Sequence, residues 1–342
     1  MSELNSNIRN DFFSIVNNIT NIGVQCHTAR IIEHALANLS DINKSIKSLP
    51  TLSGPKAQSG IVISAGPSVH KKNSIKRILD SSYKGTLIAT DGTYIACLKA
   101  ALIPDYVLTL DPHPTRMVRW FGDPLFEENS KNDDYFSRQD LNIEFQKKSI
   151  QENHKNIELV NTYGHLTKAI VSTSVPRNVV ERIKEAKFDT YWWNPLVDNP
   201  NYPHSTTRKL YNMNKLPCIN TGGTVGTASW IFANSILKLP IIALVGMDFG
   251  YYSETSFTKT QTYYELITHV GTEEGIEKYF TEFTFPLTGE KFYADPTYFW
   301  YRKNFLELYQ KAAGKTFNCT EGGTLFHKDM ECLSLDQFLK ID

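Results

Sequence analysis

The sequence lacks the fingerprints by which most nucleotide, metal and hydrolytic sites are recognised. It has no G-x-G-x-x-G turn of the dinucleotide type, no Walker phosphate loop and no G-x-S-x-G nucleophile elbow. Its nine histidines show neither H-x3-H nor H-E-x-x-H, so a histidine metal site is not expected. The five cysteines, Cys26, Cys97, Cys218, Cys319 and Cys332, are scattered, with no C-x-x-C pair. They read as reduced thiols, which suits a cytoplasmic protein. Net charge is absent too: 36 basic residues balance 36 acidic ones, leaving no global field for nucleic acid or an anionic membrane. Long apolar runs are missing, the longest being Ile241 to Val245, and the first ten residues have no signal-peptide layout. A soluble, cytoplasmic chain is expected, in which the sequons at Asn18, Asn38 and Asn318 are chance matches.

With 342 residues, 41% of them apolar, the chain has enough material for one large core or two smaller ones. Residues 1–55 read as a helical N-terminal extension and linker. Ile31, Ile32, Ala35, Leu36 and Leu39 fall at helical spacing, and the pattern breaks at Pro50 and the T-L-S-G-P-K-A-Q-S-G run. From residue 56 to 342 the pattern is strand, loop, helix. It predicts an α/β, Rossmann-like, mostly parallel sheet flanked by helices, with a C-terminal helical and loop cap. Strands are expected at Ile61–Ser64, Thr86–Ala89, Tyr106–Leu110, Ala169–Thr173, Thr190–Trp193 and Ile241–Val245. Ser174-Val-Pro176 predicts a helix with serine as N-cap, and Gly222-Gly223-Thr224 opens another. A charged, Asn-rich surface insertion is expected near 122–156, and an irregular aromatic one near 251–291.

Polar residues follow the strands where ligands bind in such sheets, outside the carboxyl ends. After the first strand, Gly66, Pro67 and Ser68 suit a phosphate or sugar-nucleotide group: glycine admits close backbone approach, serine offers a hydroxyl, and a helix from about Asn73 adds its dipole. An ordinary tight turn is the alternative. Asp91-Gly92 and Asp111-Pro112-His113 follow the next two strands. Their carboxylates could orient a ribose, hold Mg²⁺ or accept a proton, or simply cap helices. His113 reads equally as a base or a polar turn residue. Gly222, Gly223 and Thr224 form a second anion- or hydroxyl-binding candidate, against close helix–sheet packing. Asp248 brings a third carboxylate, and the turn Thr320, Glu321, Gly322, Gly323 could close the site from the C-terminal side. Tyr191-Trp192-Trp193 reads as core or interface in preference to a sugar platform, Tyr298, Trp300 and Tyr301 as a face, on a helix from about Asp295-Pro296, of which some must pack, and Arg302 as solvated or, near a nucleotide, a phosphate ligand.

The ordered set G-P-S at Gly66, A-T-D-G at Ala89, P-D-Y-V-L-T-L-D-P at Pro104, G-G-T-V at Gly222, L-V-G-M-D-F at Leu244 and N-C-T-E-G-G at Asn318 resembles the motility accessory factor (Maf) family. The resemblance runs from about Ile61 to the C-terminus. It implies a glycosyltransferase moving a nonulosonic, sialic-acid-like sugar from a CMP-activated donor to a flagellin-like protein hydroxyl or a glycan. Asp111, His113 and Asp248 would then be the proton-transfer candidates. Gly66, Pro67, Ser68, Asp91, Gly92, Gly222, Gly223 and Thr224 would hold the nucleotide and phosphate, and Thr320 to Gly323 the sugar.

The same core is similar to archaeal 6-hydroxymethyl-dihydropterin pyrophosphokinase, which implies ATP, with Mg²⁺ held by Asp91 and Asp111. That family's chains end soon after the core, so the Asp295 to Gly323 segment favours the Maf side. The N-terminal segment is short against the Maf pattern and no helical domain follows Asp342, which leaves room for a compact relative acting on another acceptor. A third reading is a non-catalytic nucleotide-sugar-binding protein whose N-terminal helices serve association. No cofactor is required outside the Mg²⁺ reading, and a homo-oligomer is left open.

Overall fold

The computed structural model describes residues 28–114, 120–129, 131, 143–260 and 262–341. Nine parallel strands form the central sheet, in the order β12-β11-β7-β1-β2-β3-β4-β5-β6. They are β1 (Ser59–Ile63), β2 (Thr86–Thr90), β3 (Tyr106–Thr109), β4 (Lys168–Ser172), β5 (Asp189–Leu196), β6 (Cys218–Asn220), β7 (Ile241–Val245), β11 (Lys315–Asn318) and β12 (Glu331–Cys332). The expected α/β sheet is therefore present, and it is wholly parallel. Its central strands read as unbroken apolar runs because helices cover both faces. Side chains still alternate: Ile61 and Ile63 enter one core, Val62 the other. The aromatic triplet obeys the same period, with Trp192 in the first core and Tyr191 and Trp193 in the second.

The helices that position the site are α1 (28–37), α2 (Ser68–Lys71), α3 (Ser74–Asp80), α4 (Asp91–Lys99), α5 (Ile143–Tyr163), α6 (Arg177–Glu185), α7 (Val225–Ile231), α8 (Tyr263–Val270) and α9 (Pro296–Tyr309). In α1 the apolar stripe is narrower than its spacing predicts. Ile31 and Ala35 are buried, whereas Leu36 and, just beyond the helix, Leu39 are exposed. Between β3 and β4 the chain crosses over through α5, and Phe121, Phe126 and Asn153 are buried there. Residues 130 and 132–142 of the 122–156 stretch lie outside the described residues. The stretch after Tyr251, read as irregular, has regular structure. β8 (Tyr251–Tyr252), β9 (Thr281–Thr284) and β10 (Lys291–Ala294) pair antiparallel in the order β8-β10-β9, with α8 between β8 and β9. Its aromatics supply that small sheet with its own core, as in the Tyr252–Phe285–Phe292 cluster.

Among the described residues no helix is long and apolar enough to cross a membrane. The four described cysteines are unpaired, and burial pushes the Cys97 thiol up to about 12.

Candidate functional site

The strand order reverses between β1 and β7. From β1 the chain winds outward through β2 to β6, then returns to the other side of β1 to lay down β7, β11 and β12. The crossover from β1 through α3 and that from β7 through α9 consequently pack on opposite faces of the sheet, the arrangement that opens a crevice at the carboxyl ends of the two strands. A cleft of about 430 Å³ lies there, walled by the segments after β1, β2, β3, β6 and β7 and by one side of α9.

The β1 and β7 loops are locked together. Gly66 donates its amide to the Gly246 carbonyl at 2.9 Å, and Ser64 donates to Val245 at 2.8 Å. Asp248 accepts from Ser68 twice, the backbone amide reaching Oδ1 at 3.3 Å and the hydroxyl reaching Oδ2 at 2.7 Å. A side chain at position 66 would place its Cβ 1.9 Å from Asp248 Oδ2, so only glycine allows the carboxylate to nest there. Asp248 is 3% exposed, and this burial, opposed by the Ser68 bonds, pushes its carboxyl up to about 7.

The helix expected from about Asn73 is present as α3, with Asn73 at its N-cap, but a short helix comes between it and this loop. Four-residue α2 starts at Ser68, and Asn73, in left-handed conformation with φ 50°, separates it from α3.

Asp91 and Asp111 both border the cleft but sit differently. Asp91 is buried in the first turn of α4, where its Oδ1 accepts from the Gly92 amide at 2.7 Å and Thr90, not Asp91, occupies the N-cap. Gly92 supports the wall from behind, since a Cβ there would lie 2.9 Å from Ala65 Cβ. Asp111 is half-buried and closes a tight turn, accepting from the His113 amide at 2.8 Å. His113 borders the same cleft.

The Gly222-Gly223-Thr224 segment starts α7 as expected, with Thr224 as N-cap accepting from the Thr227 amide at 3.0 Å. Gly223 adopts φ 95°, and a Cβ there would stand 2.5 Å from the Tyr301 ring. The amides of Gly222, Gly223 and Thr224 already serve Asn220 Oδ1, Thr221 Oγ1 and the Thr221 carbonyl. With the amides of Gly66 and Ser68 also engaged, these two glycine turns shape the wall rather than present a ready phosphate nest.

Thr320 to Gly323 do not border the cleft; they brace the β7 loop from behind. Thr320 Oγ1 accepts from the Met247 amide at 3.2 Å. Glu321 pairs with Arg77 at 2.6 Å. Gly322 packs against Phe292 and Tyr252, and Gly323, at φ 76°, lets the chain pass close to the Asp248 backbone. Arg302 is not a phosphate ligand in this arrangement. Its guanidinium donates to the carbonyls of Thr324 at 2.6 Å and Phe326 at 2.8 Å and lies over the Phe283 ring.

Sequence reasoning places Tyr298 and Tyr301 on a partly packed helix face but misses that, with Trp120, they wall the cleft. Tyr298 and Tyr301, three apart on a helix capped by Asp295, share a face, a spacing that could have flagged them. It also missed that Gly314-Lys315-Thr316 is a G-K-T triplet. The triplet leads into β11 rather than a helix, and Thr316 Oγ1 accepts from buried Trp230 Nε1 at 3.0 Å, a structural role. Among the described lining residues the acidic side chains are Asp91, Asp111 and Asp248, and there is no lysine or arginine. Such a wall suits hydroxyl-rich or cation-bearing ligands and a flat ring stacked on the aromatics.

Residues 33–123 match the family model described as 6-hydroxymethylpterin diphosphokinase MptE-like. The match takes in Gly66, Asp91, Asp111 and His113. A solved structure, a Maf glycosyltransferase from Magnetospirillum magneticum AMB-1, is similar over 90% of this chain with TM-score 0.55 and 14% identity. The chain spans only 38% of the length of that structure, and at this identity the likeness establishes the fold. No curated protein sequence matches the chain. Both groups suggested by the motifs thus reappear, one as a partial sequence match and one as a shared fold.

Proposed function

We propose that this chain is a glycosyltransferase that takes a nonulosonic, sialic-acid-like sugar from a CMP-activated donor and passes it to a hydroxyl of a protein or glycan acceptor. The observation that carries the reading is the cleft at the β1/β7 switch point, where Asp91, Asp111 and His113 face an aromatic wall within a fold shared with a Maf glycosyltransferase. Such a transfer needs the sugar and ribose hydroxyls oriented, the oxocarbenium-like centre steadied and the acceptor proton removed. Carboxylates accept hydrogen bonds from vicinal hydroxyls, and negative charge beside the anomeric carbon opposes the developing positive charge. Tyr298, Tyr301 and Trp120 would stack the base or sugar ring. Because Ser68 binds both oxygens of Asp248, Asp111 and His113 are the better placed proton acceptors.

The family match supports a second reading, an ATP-dependent diphosphokinase. Asp91 and Asp111 supply the one or two carboxylates that Mg²⁺ takes when substrate phosphates complete its shell. Among the described residues no group of three or more His, Cys, Asp or Glu side chains could hold a metal ion. Any such ion would therefore depend on its substrate.

A thermal-shift panel of CMP, CDP, ATP and GTP, each with and without Mg²⁺, separates the two, because ligand binding raises apparent stability by mass action. A metal-independent CMP shift is expected. A shift only with ATP and Mg²⁺ would transfer the assignment to the diphosphokinase, and no shift with any nucleotide would end both.

A further inference from the structure

We infer that Ser174 and Asn178 are positioning residues for the Asp111–His113 loop, and that helix α1 belongs to the ligand site through them. The loop is held at both ends from the segment that follows β4. At its start, Ser174 Oγ donates to the Leu110 carbonyl at 2.6 Å; at its end, Asn178 Nδ2 donates to the Pro114 carbonyl at 3.2 Å. Between these anchors lie Asp111, Pro112 and His113, all on the cleft wall.

The anchoring segment is itself rigidly held. Ser174 is 1% exposed, and its amide donates to Ser172 Oγ at 3.2 Å. The pattern Ser174-Val-Pro176 predicts a serine N-cap, yet Pro176 holds that position and the serine hydroxyl turns back to β3 instead. From the other side α1 and the residue that directly follows it grip the same segment. His34 Nδ1 lies 2.7 Å from the Ser174 carbonyl and must donate, since a carbonyl oxygen only accepts. Asn38, with no exposed surface, donates through Nδ2 to the Val175 carbonyl at 2.8 Å and to that of Thr173 at 3.4 Å.

A continuous path of hydrogen bonds therefore runs from α1 through residues 173–175 to Leu110, one residue before Asp111. A hydroxyl bonded to a main-chain carbonyl restrains the position and orientation of that peptide group, because the bond is directional. Asp111 and His113 depend on that fixity, since both the carboxylate and the imidazole ride on the turn. This gives the N-terminal helix a part in the site.

The consequence for affinity rests on the nucleotide-sugar reading of the cleft; the consequence for the loop does not. The test uses the full chain carrying Ser174→Ala or Asn178→Ala. Hydrogen exchange of the His113 amide, which reports the turn through its bond to Asp111 Oδ1, should quicken about tenfold or more in Ser174→Ala, on the scale of one lost hydrogen bond. Asn178→Ala should move it in the same direction, and amides of β3 should keep their rates in both. Affinity for CMP should fall about tenfold, with no further fall when Ser174→Ala is added to Asp111→Ala. If β3 exchange also quickens in Ser174→Ala, the fold has loosened and Asn178→Ala decides. Unchanged His113 exchange in the deciding variant overturns the role, as does additive loss of affinity in the double variant. A loosened loop in a protein whose wild type binds no CMP leaves the positioning role standing and removes the nucleotide-sugar reading.

Discussion

Replacing Asp248 by asparagine is expected to stabilise this protein, and increasingly so as pH rises. The carboxyl is buried between the β1 and β7 loops, and burial moves its pKa from 3.8 to about 7 despite the two bonds from Ser68. In the unfolded chain the group ionises near 3.8. Between these two values the unfolded state has released a proton that the folded state retains, so stability falls as pH rises through the window and levels off above it. A displacement of that size corresponds to about 4 kcal/mol at most, at 1.36 kcal/mol for each pH unit.

Asparagine keeps the shape, can accept from the Ser68 amide through its Oδ1 and can turn its amide to the Ser68 hydroxyl. It does not ionise. Exchanging the carboxyl for a carboxamide costs about 1 kcal/mol at either pH, which lowers the advantage without changing its growth. The stability advantage of Asp248→Asn should therefore grow by about 2–3 kcal/mol between about pH 5 and about pH 8. Urea denaturation at both pH values, extrapolated linearly to water, measures it. An asparagine variant less stable than wild type by the same margin at both pH values would refute the reasoning, because it would mean that the charged form is the one the fold favours.

Gly66→Ala should lose about 1–3 kcal/mol of stability, since its Cβ would meet Asp248 Oδ2 and the Gly246 carbonyl at 1.9 and 2.4 Å; thermal unfolding reads this. Tyr301→Ala should weaken binding of CMP by about 1 kcal/mol through lost stacking, and calorimetric titration that shows equal affinity would remove the aromatic wall from the site. Asp295→Ala should cost about 2 kcal/mol, because it strips α9 of its N-cap bond to the Tyr298 amide and leaves Thr262 Oγ1 and the Tyr251 hydroxyl without their shared carboxylate. Asp295→Asn should recover more than half of that loss in the same melts.

Where local pattern and global fold agree, the sequence could be read directly. Ile241–Val245 is an apolar run bounded by proline and glycine, and it forms β7 with those very ends. Ser59–Ile63 and Thr86–Thr90 differ from expectation by one or two residues at their ends, as strand ends do when the neighbouring strand sets the last hydrogen bond. Cys218–Asn220 escaped notice because three residues carry no periodicity; only the place beside β5 makes them a strand. The aromatic stretch after Tyr251 was opaque for a related reason. Antiparallel partners there range from Lys291 with Thr284 to Tyr293 with Tyr251, and their pairing is decided by which rings pack together.

The site divides along the same line. That carboxylates and glycine turns follow successive strands is a property of the chain alone, and parallel topology then gathers them at one edge whatever the details. What each one does depends on neighbours distant in sequence. Asp248 is tied to Ser68, 180 positions away, and Glu321 to Arg77, 244 away; the first remains at the cleft wall and the second is drawn off behind it. Ser174 is a helix cap by its local sequence and a brace for the Asp111 turn by its place in the fold. The sequence by itself thus determined the central strands of the parallel sheet and the polar residues along its carboxyl edge, because those follow from patterning over a few residues. Only the tertiary structure decided which of those polar groups face the cleft and which are consumed in holding it open, because that depends on hydrogen bonds closed across the whole chain.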